Sequence, residues 1–198
     1  MFVLVPCKHS GCSISALDGS DFCYCHQEDR SLAVKDVSDR LKRNGAVRNV
    51  SAPYIELSDL DVSGKSLEVS NFSHAVFKNV DFSDSSFRIM FFDFCVFVDC
   101  KFRHTDMKYS VFAGASLTRC DFSSSDLLHC NFSGVTAKNC SFSESDLYFS
   151  TFAHSGISDT DFVDCNLKKV RFNDTRRTSV NFKYSNYEEA FFGESPLS

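Results

Sequence analysis

Large apolar residues recur at every fifth position along most of this chain. From Leu57 to Phe192 the repeat never shifts register, and sixteen of the 22 phenylalanines lie on it. Neither the 3.6-residue period of an α-helix nor the two-residue period of a flat strand produces a five-residue repeat. The pattern therefore predicts a repetitive architecture in which each five-residue unit buries one large side chain.

Two further regularities refine this prediction. Two positions before each large residue the side chain is usually small, as in Ser70, Ala75, Ser85, Ala115 and Cys120. Sorting the large residues by twenty separates two columns that consist of phenylalanine alone. They are Phe72, Phe92, Phe112, Phe132, Phe152, Phe172, Phe192 and Phe82, Phe102, Phe122, Phe142, Phe162, Phe182. We therefore expect four units in each coil of twenty residues.

The five-residue unit resembles the pentapeptide-repeat family, whose pattern is a small residue, Asp or Asn, Leu or Phe, and two variable residues. It appears here as 120–124 (Cys-Asp-Phe-Ser-Ser), 130–134 (Cys-Asn-Phe-Ser-Gly) and 145–149 (Ser-Asp-Leu-Tyr-Phe). The resemblance covers residues 52–193. It implies an all-β solenoid, a right-handed quadrilateral β-helix of about seven coils stacked at the β spacing. The corresponding domain is 52–198, with a short C-terminal tail.

The ten cysteines fall into two groups. Six occupy the small position of the repeat, where we expect them to act as small buried apolar residues without chemistry: Cys95, Cys100, Cys120, Cys130, Cys140 and Cys165. The other four lie among the first 25 residues and need a separate explanation.

The N-terminal cysteines have the spacing of a zinc site. Cys7, Cys12, Cys23 and His26 form a Cys-x4-Cys-x10-Cys-x2-His arrangement, and such paired ligands suit a closed tetrahedral ion. Cys25 or His9 could replace one member of this set, and four unliganded thiols are the alternative. So short a segment has little apolar material with which to fold alone, which favours a structural Zn²⁺.

A short helix follows the cysteines. Residues 28–44 place Leu32, Val34, Val37 and Leu41 on one narrow apolar side, and Gly45 is expected to end the helix. Residues 1–51 are thus predicted to form a metal-binding lobe whose helix caps the first coil. A cap is needed because the end of a solenoid exposes unpaired strand edges.

Composition excludes several classes of function. The net charge of −5 disfavours direct nucleic-acid binding, which needs a basic surface. The apolar start, residues 1–5, is too short for a signal peptide, and no run is long enough to span a membrane, so we expect a cytoplasmic protein without membrane contact. The six histidines are scattered and no phosphate-binding loop is present, which predicts that the protein is not an enzyme.

Apolar residues at outward positions form a flat strip on one side of the coils. Its members are Ile89, Phe91, Phe94, Tyr109, Val111 and Phe149. An exposed apolar strip usually marks an interface. Either the N-terminal lobe folds over it or a protein partner of unknown identity binds it, and we predict a non-catalytic interaction scaffold.

Acidic residues on another face suggest an alternative function. Some pentapeptide-repeat proteins imitate DNA and bind DNA gyrase, protecting it from quinolones, so a stripe that includes Asp81, Asp121 and Asp161 raises that hypothesis. Lys101 and Arg103 interrupt the stripe, and the unbroken repeat leaves no room for projecting loops.

Aromatic residues gather at the C-terminal end of the repeat. Tyr184, Tyr187, Phe191 and Phe192 occupy the last coil, and too few residues follow them to form a capping helix. We therefore predict an end-to-end homodimer through this coil.

Overall fold

The computed structural model describes residues 4–193, which form an all-β solenoid of about seven coils behind a small N-terminal lobe. The predicted tail, residues 194–198, lies outside the described residues. The helical elements are a 3₁₀ helix Tyr24–His26, α1 Arg30–Leu41 and a 3₁₀ helix Tyr187–Glu189. The strands are β1 Ala46–Arg48, β2 Glu56–Asp61, β3 Ser66–Asn71, β4 Val76–Asp81, β5 Ser86–Phe91, β6 Val96–Val98, β7 Asp106–Lys108, β8 Ser116–Thr118, β9 Thr136–Lys138, β10 Gly156–Asp161 and β11 Arg176–Asn181.

All strand pairing in the solenoid is parallel with a register of twenty residues. Leu57 lies opposite Phe77, which lies opposite Phe97 in turn. The strands form one sheet in the order β1-β3-β5-β7 and another in the order β11-β10-β9-β8-β6-β4-β2. Isolated parallel bridges at the same spacing continue the pairing where no strand is assigned. The coil of twenty residues predicted from the sequence is confirmed.

The chain turns once in every five residues. Each fifth residue from Asn49 to Tyr184 has a positive φ, between 48° and 70°. This left-handed conformation is strained for side chains other than glycine, and most of all for β-branched residues such as Val69 and Ile89. Four such turns per coil keep two residues of each unit pointing inward, the large one and the small one two positions before it, which is the physical origin of the five-residue repeat.

The two predicted phenylalanine columns run through the core, beside columns of mixed apolar residues such as Leu67, Phe87 and Met107. Rings stack along each column, with centroids 4.5 Å apart between Phe102 and Phe122 and 4.9 Å apart between Phe122 and Phe142. Across the core the columns meet edge to face, as Phe112 and Phe122 do at 84°. Offset stacks and edge contacts are the favourable geometries for aromatic pairs, so each ring is held on several sides.

The small inward residues satisfy carbonyl groups of the preceding coil. The Ser145 hydroxyl donates to the Phe122 carbonyl at 2.8 Å, and the Cys95 thiol donates to the Phe72 carbonyl at 2.9 Å. All ten cysteines are free thiols, and the six in the repeat are buried. Burial raises the pKa of Cys130 to about 12 and that of Cys165 to about 11, so these thiols stay protonated at neutral pH.

The N-terminal lobe packs against the first coil. Helix α1 begins after Asp29, whose carboxylate accepts hydrogen bonds from the first turn, and it is shorter than the predicted 28–44. Its Val37 and Leu41 are buried in the same cluster as the solenoid core, together with Leu17 and Tyr24. Coil pairing already begins at 46–48, where β1 pairs with β3, upstream of the predicted boundary at residue 52.

Two charged residues at inward positions are accommodated near the ends of the solenoid. Lys65 is half-buried, whereas Arg177 is exposed with its guanidinium carbon 4.5 Å from the centroid of the Phe192 ring. The Arg177 side chain thus leaves the inward position and lies over the aromatic ring of the last coil. Among residues 4–193, no helix has the length and apolar character needed to cross a bilayer.

Candidate functional site

The first candidate site is a cluster of three thiols and one imidazole in the lobe. Cys7, Cys12, Cys23 and His26 place one ligand atom each within 4.8 Å of all the others. The Cys12 and Cys23 sulfurs are 3.8 Å apart, and the His26 Nδ1 lies 3.6 Å from the Cys7 sulfur and 3.3 Å from the Cys23 sulfur. The structure thus brings together the four residues that the spacing selected.

A 3₁₀ turn decides which of the neighbouring residues belong to the cluster. In the helix Tyr24–His26 the residues three apart, Cys23 and His26, lie on one side, and Cys25 is exposed. His9 stays outside the cluster and stacks its ring on that of His26, with centroids 3.8 Å apart. Cys25 and His9, the two alternative ligands that the sequence left open, therefore lie outside the cluster.

The cluster thiols differ in acidity. Burial opposes ionisation of Cys7, but hydrogen bonds with the backbone of Cys23 and His9 and with the His26 ring outweigh it and lower the pKa of Cys7 to about 6. Burial raises the pKa of Cys23 to about 11. The site thus already favours one thiolate at neutral pH.

The second candidate site is one side of the solenoid, which we call the open face. It is the strip between two columns of left-handed residues. One column is Val69, Ile89, Tyr109, His129, Phe149, Lys169, and the other is Tyr54, His74, Phe94, Gly114, Gly134, His154. The backbone between the columns pairs coil to coil, for example Phe91 with Val111 and Val111 with Asn131.

Each edge of the open face carries a histidine held between two aromatic rings. His74 lies between Tyr54 and Phe94, with centroid distances of 4.6 and 5.1 Å. On the other edge, His129 lies 5.2 Å from both Tyr109 and Phe149. These histidines are scattered along the sequence, and only the spacing of twenty between outward residues indicates that they stack.

The edge that contains Phe94 is interrupted below it. Gly114 and Gly134 carry no side chains, and the Phe94 ring leans over Gly114, where an added Cβ would lie 2.6 Å from the ring. At Gly134 an added Cβ would make only ordinary van der Waals contact, 3.8 Å from the Gly114 backbone nitrogen, so there is room for a side chain at that level of the edge. The result is a notch beside Gly134, between Phe94 and His154 along the column.

The predicted surface residues line the open face and remain accessible. Ile89, Phe94, Tyr109 and Phe149 are exposed, and Phe91 and Val111 are half-buried. In residues 4–193 the lobe packs on the first coil and leaves Phe94 56% exposed and Tyr109 58% exposed. At the C-terminal end of the face, Lys169 lies over the Phe149 ring and Arg171 is exposed, while Asp174 on the opposite edge lies 3.5 Å from His154.

Basic residues on the same side of the solenoid partly neutralise the acidic stripe. Lys101 lies 3.5 Å from Asp81, and Arg103 lies 3.6 Å from Asp121. The stripe is therefore a mixed-charge surface along its central coils.

The C-terminal coil leaves aromatic residues accessible. Tyr184, Tyr187 and Phe191 are more than half exposed, while Phe192 is half-buried and stacks on Phe172 at 5.2 Å. Within the described residues, this end has no counterpart of the N-terminal lobe.

Two family models match the solenoid. One, described as a pentapeptide repeat region, matches residues 115–192, and the other, described as pentapeptide repeats in eight copies, matches residues 95–134. The comparison with curated proteins finds no match.

Solved structures with some likeness to the chain include three repeat proteins. The pentapeptide repeat protein Rfr23 from the cyanobacterium Cyanothece 51142 has a TM-score of 0.43 at 7% identity, over 80% of this chain and 98% of that one. A pentapeptide repeat protein of the Arabidopsis thaliana thylakoid lumen has a TM-score of 0.38 at 19% identity, over 50% and 65%. QnrB1, described as a plasmid-mediated fluoroquinolone resistance protein, has a TM-score of 0.29 at 14% identity, over 72% and 84%.

Proposed function

We propose that this protein, whose residues 95–192 match models of the pentapeptide-repeat family, is a non-catalytic scaffold whose open face binds a protein partner. The observation that carries the proposal is the accessible aromatic edge at Phe94 beside the notch at Gly134. An exposed aromatic residue next to a space of side-chain size is the arrangement in which a few residues dominate the affinity of an interface.

The finer geometry of the solenoid is part of this proposal. We expect the right-handed quadrilateral cross-section of the family. The register of twenty residues and the turn at every fifth residue support four sides in each coil. With flat sides, the two edges of the open face form parallel ridges on a rigid rod. Such a surface suits a partner that also has little flexibility.

The chemistry of the open face restricts the partner. The Phe94 and Tyr109 edges are apolar, and the notch accepts a planar or apolar side chain that continues the stack below Phe94. Lys169 and Arg171 at the C-terminal end of the face favour an acidic group there. We therefore propose a protein surface that presents an aromatic or apolar side chain and, about two coils away, a carboxylate.

Filling the notch is expected to abolish binding without unfolding the protein. In Gly134→His the new ring occupies the notch, and histidine already adopts the same left-handed conformation at His74 and His154. Phe94→Ser removes the ring instead. Both variants should lower the affinity for the partner by at least about tenfold, or about 1.4 kcal/mol of binding free energy. Proteins captured from the source organism by the wild type are identified, and the affinity of the purified partner is then measured calorimetrically.

An exposed apolar residue outside the open face provides the control for this experiment. Leu32 on α1 is 63% exposed, and Leu32→Ser should retain every partner that the wild type retains. Thermal unfolding of all variants should remain cooperative. If the same proteins bind with equal affinity to Gly134→His, Phe94→Ser and the wild type, the open face is not the binding surface.

The DNA-mimic hypothesis receives less support from the charges. A surface that imitates DNA needs a continuous negative potential, whereas Lys101 and Arg103 lie against the acidic stripe. Binding to DNA gyrase or a topoisomerase therefore stays a prediction of the family resemblance and is not our proposal.

We also propose self-association through the C-terminal coil. The accessible rings of Tyr184, Tyr187 and Phe191 and the uncovered end of the stacked core favour an end-to-end homodimer. Solution scattering at micromolar concentration should give twice the mass of the chain, and Phe191→Glu should return the monomer mass while Leu32→Glu does not. A monomeric mass for the wild type would remove the dimer from the proposal.

A cytoplasmic location remains an expectation.

A further inference from the structure

The thiol and imidazole cluster of the lobe has the dimensions of a zinc tetrahedron. With a Zn–S distance of about 2.3 Å and a Zn–N distance of about 2.0 Å, the edges of a regular tetrahedron are about 3.8 Å between sulfurs and about 3.5 Å between sulfur and nitrogen. The corresponding separations here are 3.8 Å for Cys12 and Cys23, 3.6 Å for Cys7 and His26, and 3.3 Å for Cys23 and His26. Three edges of the cluster therefore match such a site before any ion is considered, and all the ligand atoms lie within 4.8 Å of one another.

We infer that Cys7, Cys12, Cys23 and the Nδ1 atom of His26 bind one Zn²⁺ ion, and that this ion holds the N-terminal cap on the solenoid. Three sulfur ligands with one imidazole in a tetrahedron select zinc over magnesium or calcium, which prefer oxygen. Because four protein ligands fill the coordination sphere, the ion is structural and has no open position for a reacting water.

Groups around the cluster orient its ligands. The His9 backbone N–H donates to the Cys7 sulfur at 3.5 Å, and the His9 ring covers one face of the His26 ring. The Cys7 N–H donates to the Ile14 carbonyl, and the Cys12 N–H donates to the His9 carbonyl, which fixes the loop between the first two thiols. Outer contacts of this kind position metal ligands and tune their affinity.

The cluster is connected directly to the cap. Tyr24 follows Cys23 and is buried in the solenoid core cluster, as is Leu17 from the same loop. The Asp18 N–H donates to the Ser51 carbonyl at 2.9 Å, and Arg40 of α1 pairs with the Asp18 carboxylate. Because the segment has few apolar residues of its own, metal ligation supplies the free energy that keeps these contacts in place. Loss of the ion is expected to release the lobe and uncover the first coil.

The test uses the full chain and measures metal directly. Elemental analysis of the purified protein should find one zinc per chain, and Co²⁺ that replaces it should show the absorption of a tetrahedral site with three thiolates. Cys12→Ser should weaken zinc binding, measured by competition with a chromogenic chelator, by more than the about 10–100-fold that outer contacts alone cost. The matched control is Cys25→Ser, which removes an exposed thiol of the same loop and should bind zinc like the wild type.

Proteolysis separates the metal site from the cap. After chelation, trypsin should cleave the lobe at Lys8 and Arg30 while the repeat stays protected, and added zinc should restore protection. The site would be overturned if the wild type bound less than about 0.1 zinc ion per chain at a zinc concentration above any reasonable dissociation constant. Equal zinc affinity in Cys12→Ser and the wild type would also overturn it. Zinc binding without any change in cleavage would overturn the role in capping.

Discussion

Replacing Phe122 by alanine is expected to lower the free energy of unfolding by about 3–5 kcal/mol. The Phe122 ring is fully buried, stacked between Phe102 and Phe142, with edge contacts to Phe112 and Phe132. Neighbouring coils are tied to each other by backbone pairing, so the cavity cannot collapse easily. Equilibrium unfolding in urea, followed by circular dichroism, measures the loss.

The same substitution at the C-terminal end provides the comparison. Phe182 is half-buried and stacks on one column neighbour, Phe162, at 5.4 Å. Phe182→Ala should therefore cost less, about 1–2 kcal/mol, because part of the ring is already in water. Equal losses for the two variants would show that the stacked column does not set the stability of a coil.

Replacing Asn139 by proline is expected to cost about 3 kcal/mol or more. Asn139 is an exposed turn residue with a φ of 53°, whereas proline is restricted to a φ near −65°. The substitution also removes the backbone N–H that donates to the Ser158 carbonyl at 3.2 Å. Proline therefore fails both in conformation and in coil pairing.

A glycine at the same position isolates the two effects. Asn139→Gly keeps the N–H and adopts a positive φ without strain, so its free energy of unfolding should lie within about 1 kcal/mol of the wild type. Urea unfolding of both variants is the measurement. A proline variant as stable as the glycine variant would contradict the assigned turn.

Inward positions were predictable because burial leaves a periodic signal. The columns of Phe72 and Phe82 follow from the five-residue repeat, since each unit points one large and one small side chain into the core. The spacing left Cys23 and Cys25 both open, and it is the 3₁₀ turn in the structure that places Cys23 on the same side as His26.

Outward contacts were harder to predict because solvent imposes no pattern on them. The stacks of His74 and His129 depend on equal spacing along the axis, and their residues share no common type: tyrosine, histidine and phenylalanine. The lean of the Phe94 ring over Gly114 is a rotamer choice that leaves no trace in the sequence. The identity of the partner that binds the open face was hardest to predict, because another molecule encodes its chemistry.

The register of twenty residues has a mechanical consequence. The hydrogen bonds that join the coils run along the axis, as between the Phe112 N–H and the Asn131 carbonyl, so a force that pulls the two ends apart loads the bonds of the terminal coil first. Each coil that detaches releases twenty residues, up to about 70 Å of chain, in place of a rise of about 4.8 Å. Under tension the molecule should therefore lengthen in equal steps of one coil each.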